Sequence, residues 1–532
     1  MRKIEIYDTT LRDGSQAEGI SFSIEDKLRI AEKLDYLGVS FIEGGWPVSN
    51  EKDKEFFKRA SEMNWTHAKI AAFGSTRRAD KTCEEDNNIQ TLIESQAPVI
   101  TIFGKSWVLH VTEALKVSLE ANLEMIRDSV QYLAGQGRQV VYDAEHFFDG
   151  YKANSEYALQ TLEAARDGGA SILVLCDTNG GSMPWEIQDI VSTVRDRLQH
   201  PIGIHTHNDS GLAVANSIAA IREGAVQVQG TFNGYGERCG NVNLCSCIPV
   251  IELKLGMQCL PEGNLQHLTY VSGFVDEVAN VTPDERQPYV GKSAFAHKGG
   301  IHVDAILKHD QTYEHIKPGL VGNERRVLIS ELSGASNVVA KAQKHGLDWQ
   351  KSTPEARAVL SDIVRLENEG YSFESAEASF ELLLKKATGE YQKLFDLMGF
   401  RVIIEKRNPN EDPITEATLK IRVGGEERHT AGEGDGPVHA LDNALRKALR
   451  YFYPDVENIR LTDFKVRVIS AGEGTAAKVR TIIDSQDSQG RQWSTVGVST
   501  NLVEASWQAL VDSLEYGLAK TLGERSGESR AS

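Results

Sequence analysis

Apolar residues in the first half of the chain come in short runs: Ile4–Tyr7, Ser40–Glu43, Lys69–Phe73, Val99–Phe103, Gln139–Tyr142, Ile172–Cys176, Ile202–His205 and Val226–Gly230. Each is followed by polar or Gly-rich residues, and amphipathic stretches of helical length separate the runs. Strands that read as nearly unbroken apolar segments are buried on both faces, which a parallel sheet covered by helices provides. Eight such runs predict an α/β fold in which residues 1–265 close into a (β/α)8 TIM barrel. The helices carry their own signals. Ser23-Ile-Glu-Asp26 starts like a capping box, and Leu28, Ala31, Leu34 and Leu37 form a stripe ending at Gly38.

The strand pattern stops over residues 266–394, which read as a helical linker subdomain around a Gly/His-rich island, His297-Lys-Gly-Gly-Ile-His302. In residues 395–532 alternating strands such as Ala417–Val423 and Lys465–Ile469 return, followed by helices. Two of these helices share a setting: His439–Tyr453 follows Gly-Glu-Gly-Asp-Gly-Pro437, and Val503–Lys520 follows Gly-Val-Ser-Thr-Asn501. The pattern predicts a duplicated α+β unit, a form suited to small-ligand sensing or dimerisation. Gly472-Glu-Gly474 lacks the Lys-Ser/Thr ending of a phosphate loop and reads as a turn.

Charge narrows the partners. Lys plus Arg total 58 against 76 Asp plus Glu in 532 residues, a net −18 that argues against nucleic acid and anionic membranes. The cysteines at 83, 176, 239, 245, 247 and 259 form no C-x-x-C pair and no regular ladder, so neither a zinc knuckle nor a disulfide framework is expected. With no signal-like leader and no apolar stretch of membrane-spanning length, the expected location is the reducing cytoplasm.

In such barrels the chemistry gathers just past the C-terminal ends of the strands. Those positions hold Arg12 and Asp13 after the first run, Asp143 and Glu145 after the fifth, Asp177-Thr178-Asn179 after the sixth, His205 and His207 at the seventh, and Glu237, Arg238 and Asn241 after the eighth. His205 and His207, two apart on extended chain, point to one side and can share an ion. Asp13 and Asn241, from the strand ends beside them, can add oxygen ligands and leave positions open for a bidentate 2-keto acid. Taken alone, an H-x-H pair is better explained by histidines that cap a strand end, with nearby acids in ordinary ion pairs; Asp13 and Asn241 on the same rim reverse that preference in favour of the metal. Arg12 keeps its proton and suits the charge of an enolate or alkoxide, or else a structural ion pair. Glu145 reads as an orienting group or a rim carboxylate, and Trp46 and Phe103 as the wall of a keto-acid pocket or as barrel packing.

The strings DTTLRDG, GIHTHND and GERCGN, in that order at those strand ends, resemble the 2-isopropylmalate, homocitrate and citramalate synthase family. FIEGGWPVSNEKDKEFF and DTNGG are most similar to its citramalate branch. The resemblance covers nearly the whole chain, including AFAHKGGIHVDA in the linker and GEGDGPVHALDNAL with NLVEASWQALVDS in the terminal module. It implies metal ligation by Asp13, His205, His207 and Asn241, a catalytic pair in Arg12 and Glu145, and a contact from Thr178 to the keto-acid carboxylate. It further implies that His302 reaches the active site of the other subunit and takes a proton from acetyl-CoA, with Tyr313 beside it. The expected cofactor is a divalent cation (Mn, Mg, Zn or Co), with acetyl-CoA as co-substrate. The expected reaction joins acetyl-CoA to pyruvate, on the route to isoleucine, in a homodimer whose terminal domain binds isoleucine as effector. Asn179 stands where many isopropylmalate synthases have Val, which counts against the leucine precursor. Isopropylmalate or homocitrate synthesis is the near alternative, and a metal-dependent lyase on the same barrel the distant one.

Overall fold

The structure, a computed structural model, describes residues 2–330, 333–344, 346–469 and 475–531; the turn expected at Gly472-Glu-Gly474 lies outside them. Eight strands, β1 (Glu5–Asp8), β2 (Phe41–Gly45), β3 (Lys69–Ser75), β4 (Val99–Lys105), β5 (Gln139–Glu145), β6 (Ile172–Asp177), β7 (Ile202–Thr206) and β8 (Gln227–Gly230), pair in sequence order into a closed barrel. All pairings are parallel, and β8 returns to β1 with Gln227, Val228, Gln229 and Gly230 opposite Glu5, Ile6, Tyr7 and Asp8.

Burial on both faces explains the unbroken apolar runs. One set of side chains, Tyr7, Phe41, Ala71, Val99, Val141, Ile172, Val174 and Cys176, forms a cluster of its own inside the barrel. The alternate set, including Ile6, Ile42, Ile70, Ile100 and Ile102, packs with the surrounding helices. The first helix, Ile24–Leu37, begins with the expected capping box, in which Ser23 accepts from Asp26 N and Asp26 accepts from Ser23 N. It ends at Gly38 in the left-handed region (φ 97°), where a Cβ would lie 2.2 Å from Pro261 Cδ.

The chain divides into two compact units. The first runs to Phe295 and takes in His315–Arg325, with Leu265, Leu268, Val271 and Val275 buried in the barrel's outer core. The second comprises Ala296–Glu314 and the chain from Arg326 onward. In it β9 (Ala296–His297) lies parallel to β10 (Arg326–Val327), and helices Ala335–Lys344, Pro354–Glu369 and Glu377–Thr388 follow. Then come two antiparallel sheets of three strands, β11 (Asp396–Glu405), β12 (Ile414–Val423) and β13 (Glu426–Gly434), and β14 (Arg460–Val468), β15 (Val479–Gln486) and β16 (Gln492–Ser499). Helix Pro437–Leu449 follows the first sheet and Leu502–Ala531 the second, so the unit repeats a three-strand, one-helix pattern.

The halves are filled differently. Helix Pro437–Leu449 buries an Ala/Leu face, whereas helix Leu502–Ala531 meets its sheet partly through hydroxyls, Ser506 with Thr481 and Ser513 with Ser485. On the outer strands β11 and β14, Ile403, Ile404, Phe464, Val466 and Val468 stay exposed. Among the described residues no helix is long and apolar enough to cross a membrane.

Candidate active site

The loop after β1 is shaped by Asp8, which accepts from Thr10 N (3.0 Å) and Thr10 Oγ1 (2.8 Å); Thr10 Oγ1 in turn accepts from Phe232 N (2.8 Å), tying this loop to the one after β8. The turn aims Arg12 and Asp13 over the barrel mouth. His205 is the penultimate residue of β7, and His207 just past its end forms an isolated antiparallel bridge with Asn241. Asp13, His205, His207 and Asn241 therefore meet at the barrel mouth, each at most 6% exposed.

Their ligand atoms face one another. His205 Nε2 lies 3.3 Å from Asp13 Oδ2 and 3.4 Å from His207 Nε2, and the Asn241 amide is 2.8 Å from Asp13 Oδ2 and 3.2 Å from His205 Nε2. Asp13, His205 and His207 are the one group of metal-ligating Asp, Glu, His or Cys side chains of this kind among the described residues. Burial pushes the Asp13 carboxyl up, but Arg12 and His205 outweigh it and leave it well below the usual carboxylate range. Burial and the neighbouring His205 push His207 down to about 3, so its imidazole is neutral and keeps a lone pair.

This donor set fits a divalent cation. Two imidazole nitrogens, a carboxylate and an amide converge in a buried space, and two polar atoms there, His207 Nδ1 and Asn241 Oδ1, have no hydrogen-bond partner. The two ends of an Asn amide are interchangeable in shape, so turning Asn241 over presents Oδ1 to the centre. A cation would satisfy the facing lone pairs that the protein alone leaves opposed.

Arg12 is held by Glu43, with Nε 2.6 Å from Oε2, and its guanidinium carbon lies 3.7 Å above the Phe73 ring. Burial disfavours its charge, but Glu43 and Asp13 restore it and raise its pKa further. Glu43 also accepts from Tyr7 OH (2.9 Å), whose hydroxyl meets Thr101 Oγ1 at 2.6 Å inside the barrel. Glu145 pairs with Lys105. Thr178 Oγ1 accepts from His146 N (2.9 Å), leaving its proton free to donate. Arg238 binds Asp209 (2.7 Å) and Thr178 O (2.7 Å), joining the loops after β6, β7 and β8. Burial lifts Asp143 to about 7, with His205 pulling the other way.

A cavity of about 260 Å³ lies over the cluster, lined by Arg12, Asp13, Glu145, Thr178, His205 and His207 among others. Its apolar side is a three-ring wall. Phe73 and Phe103 stack at 5.5 Å, and Trp46 meets both edge-on at 5.9 and 5.8 Å, with its Nε1 donating to Asn88 Oδ1 (2.8 Å). A second cavity of about 510 Å³, bounded by Ser15, Ile20, Phe22 and Lys52, shares Arg12, Gln16 and Trp46 with the first.

The first unit thus brings together Arg12, Asp13, Phe103, Glu145, Thr178, His205, His207 and Asn241. His302 and Tyr313 belong to the second unit, where their rings stack at 4.2 Å and both are exposed. Sequence reasoning passed over Glu43, Phe73 and Gln229; an acid in an apolar run and two glutamines in β8 were the available signals.

A closed parallel barrel with an Asp/His/His cluster at its C-terminal mouth defines a class of metal-dependent enzymes, and the HMGL-like family model matches residues 3–275. The homocitrate synthase post-HMGL domain-like model matches residues 289–370, and the LeuA allosteric (dimerisation) domain model residues 374–518. The chain is 57% identical to the (R)-citramalate synthase of Geobacter sulfurreducens, over 98% of each chain. It is 55% identical to that of Aquifex aeolicus, over 97% of this chain and 98% of the relative. To the 2-isopropylmalate synthase of Methanocaldococcus jannaschii it is 30% identical, over 97% and 95%. The chain belongs to the citramalate synthase family, and is an enzyme of the acyl-transferring type.

Proposed function

We propose that the protein condenses acetyl-CoA with pyruvate at the barrel mouth and releases citramalate and coenzyme A. The observation that carries this reading is the convergence of Asp13, His205, His207 and Asn241, with unpaired polar atoms, beneath a cavity walled by aromatic rings. These four side chains would hold a divalent cation; histidine with oxygen donors suits manganese, magnesium, zinc or cobalt. Bound there, such a cation would supply Lewis-acid polarisation of a keto carbonyl.

The chain's own groups do the rest. Thr178 Oγ1 donates to the pyruvate carboxylate, and Trp46, Phe73 and Phe103 leave room for a methyl group. The second cavity receives the thioester arm, so the acetyl group reaches Arg12 from the side of Gln16. His302 of a second copy of the chain, with Tyr313 beside it, takes a methyl proton from acetyl-CoA. The methylene carbon then bonds to the keto carbon, and the carbonyl electron pair becomes an alkoxide whose charge Arg12 offsets until it takes a proton from water to give the hydroxyl. Glu145 orients the incoming groups. Water then splits the thioester, giving carboxylate and free thiol, and makes the sequence irreversible. The terminal domain binds isoleucine and joins two chains through the apolar residues left uncovered on β11 and β14.

Thiol release from acetyl-CoA against pyruvate, 2-ketoisovalerate and 2-oxoglutarate, with and without chelator, tests the reading. Pyruvate is expected to give the highest kcat/KM, and chelator to abolish turnover with every acid. Turnover that survives chelation, or a preference for 2-ketoisovalerate, would overturn it. The latter result would favour isopropylmalate synthesis.

A further inference from the structure

Beneath the metal-ligand cluster lies a hydrogen-bonded line across the barrel interior. His205 on β7 and Gln229 on β8 are register partners, and His205 Nδ1 is 3.0 Å from Gln229 Oε1. The other end of the amide, Nε2, donates to Asp143 Oδ1 on β5 at 2.9 Å. Gln229 is fully buried and does not line the cavity.

We propose that Gln229 is a positioning residue for the metal centre: its amide, anchored by Asp143, fixes the tautomer and ring orientation of His205 so that Nε2 presents a lone pair to the cation. This rests on the metal-centre reading given above. The argument is one of polarity. An amide has a donor end and an acceptor end, and no rotation gives it two of either. The ionised Asp143 carboxylate has acceptors only, so its Oδ1 faces the amide as an acceptor. Turning the amide over would set Gln229 Oε1 against Asp143 Oδ1, two acceptors at hydrogen-bond distance. The donor end therefore faces Asp143 and the acceptor end faces His205, which holds the ring proton on Nδ1 and leaves Nε2 bare. Nε2 is the nitrogen that faces Asp13, His207 and Asn241. Supporting partners of this kind set ligand orientation, and their removal typically weakens metal binding about 10–100-fold.

The test is Co2+ titration of the full-length protein, read as a dissociation constant and as the visible spectrum of bound Co2+, alongside Tm. Gln229→Leu should raise the Co2+ Kd at least about tenfold and alter the spectrum. Gln229→Glu combined with Asp143→Asn, which still accepts from Nδ1–H and faces an amide donor rather than a second carboxylate, should recover most of the affinity and spectrum lost in Gln229→Leu, whatever its Tm. Asp143→Asn removes the fixed polarity without emptying the site, and should weaken binding by a smaller factor; it carries the test if Gln229→Leu does not fold. Wild-type protein that binds Co2+ while Gln229→Leu or Asp143→Asn matches it in Kd and spectrum would overturn the role of Gln229 and leave the metal centre standing. Wild-type protein that fails to bind Co2+ would overturn both.

Discussion

Asp8 touches no reacting atom, yet it shapes the loop that carries Arg12 and Asp13, and burial makes its charge costly. Burial lifts it from 3.8 to about 7, with the Thr10 hydroxyl and amide pulling the other way. A carboxyl whose folded pKa exceeds its unfolded value binds its proton more tightly in the folded state. Its contribution is fully present below about 4 and is lost as pH rises through about 7, at no more than about 1.4 kcal/mol per pH unit. Asp8→Asn keeps an acceptor for Thr10 and removes the titration. Its Tm should fall less than that of the wild type between those pH values, and parallel profiles would contradict the buried-charge argument. At this scale Asp13, His205, His207 and Asn241 were legible in the sequence because His205 closes an apolar run and the other three lie in the polar segments that follow one. Glu43 and Gln229 were not, because they sit inside strands and their partners come from other strands and loops of the barrel. Only the barrel's register sets Gln229 beside His205.

Elements decide what the cavity admits. Successive strands β2, β3 and β4 each deliver one ring to the same edge of the mouth, Trp46, Phe73 and Phe103. The sequence showed two of the three, and Phe73, counted as the last residue of an apolar run, turned out to carry Arg12 on its face. Each methylene that a pocket accepts or refuses is worth about 1–3 kcal/mol. Phe103→Ala should therefore erode the preference for pyruvate over 2-ketoisovalerate by roughly tenfold in kcat/KM. An unchanged ratio would remove Phe103 from the wall. The strands of the barrel were readable because burial on both faces leaves an unmistakable apolar run. In the second unit β14 is exposed along its length, so its residues alternate without a buried face to enforce the pattern, and only its later part was found.

At the scale of the whole molecule, His302 and Tyr313 lie in a different compact unit from the metal-ligand cluster, and the proposed dimer supplies His302 from a second copy. The expected linker beginning at 266 reflects the end of the strand pattern, which says nothing of where tertiary packing ends. In the structure the barrel's core extends through the helix Leu268–Ala279. Trans supply of a residue has a consequence for mixed dimers. His205→Ala and His302→Ala chains should each be inactive alone. When refolded or co-expressed together, half the dimers pair one of each, and one site in such a dimer is whole. About a quarter of wild-type activity should return. Failure to complement, with mixed dimers shown to form, would place His302 within its own chain's site or outside the chemistry.

The account turns on one cation among four side chains. Anomalous diffraction from crystals equilibrated with Mn2+ measures this directly. A single strong peak within coordinating distance of the Asp13 carboxylate, both histidine Nε2 atoms and the Asn241 side chain is the predicted result. Manganese bound elsewhere, or that cluster empty at saturating Mn2+, would contradict it.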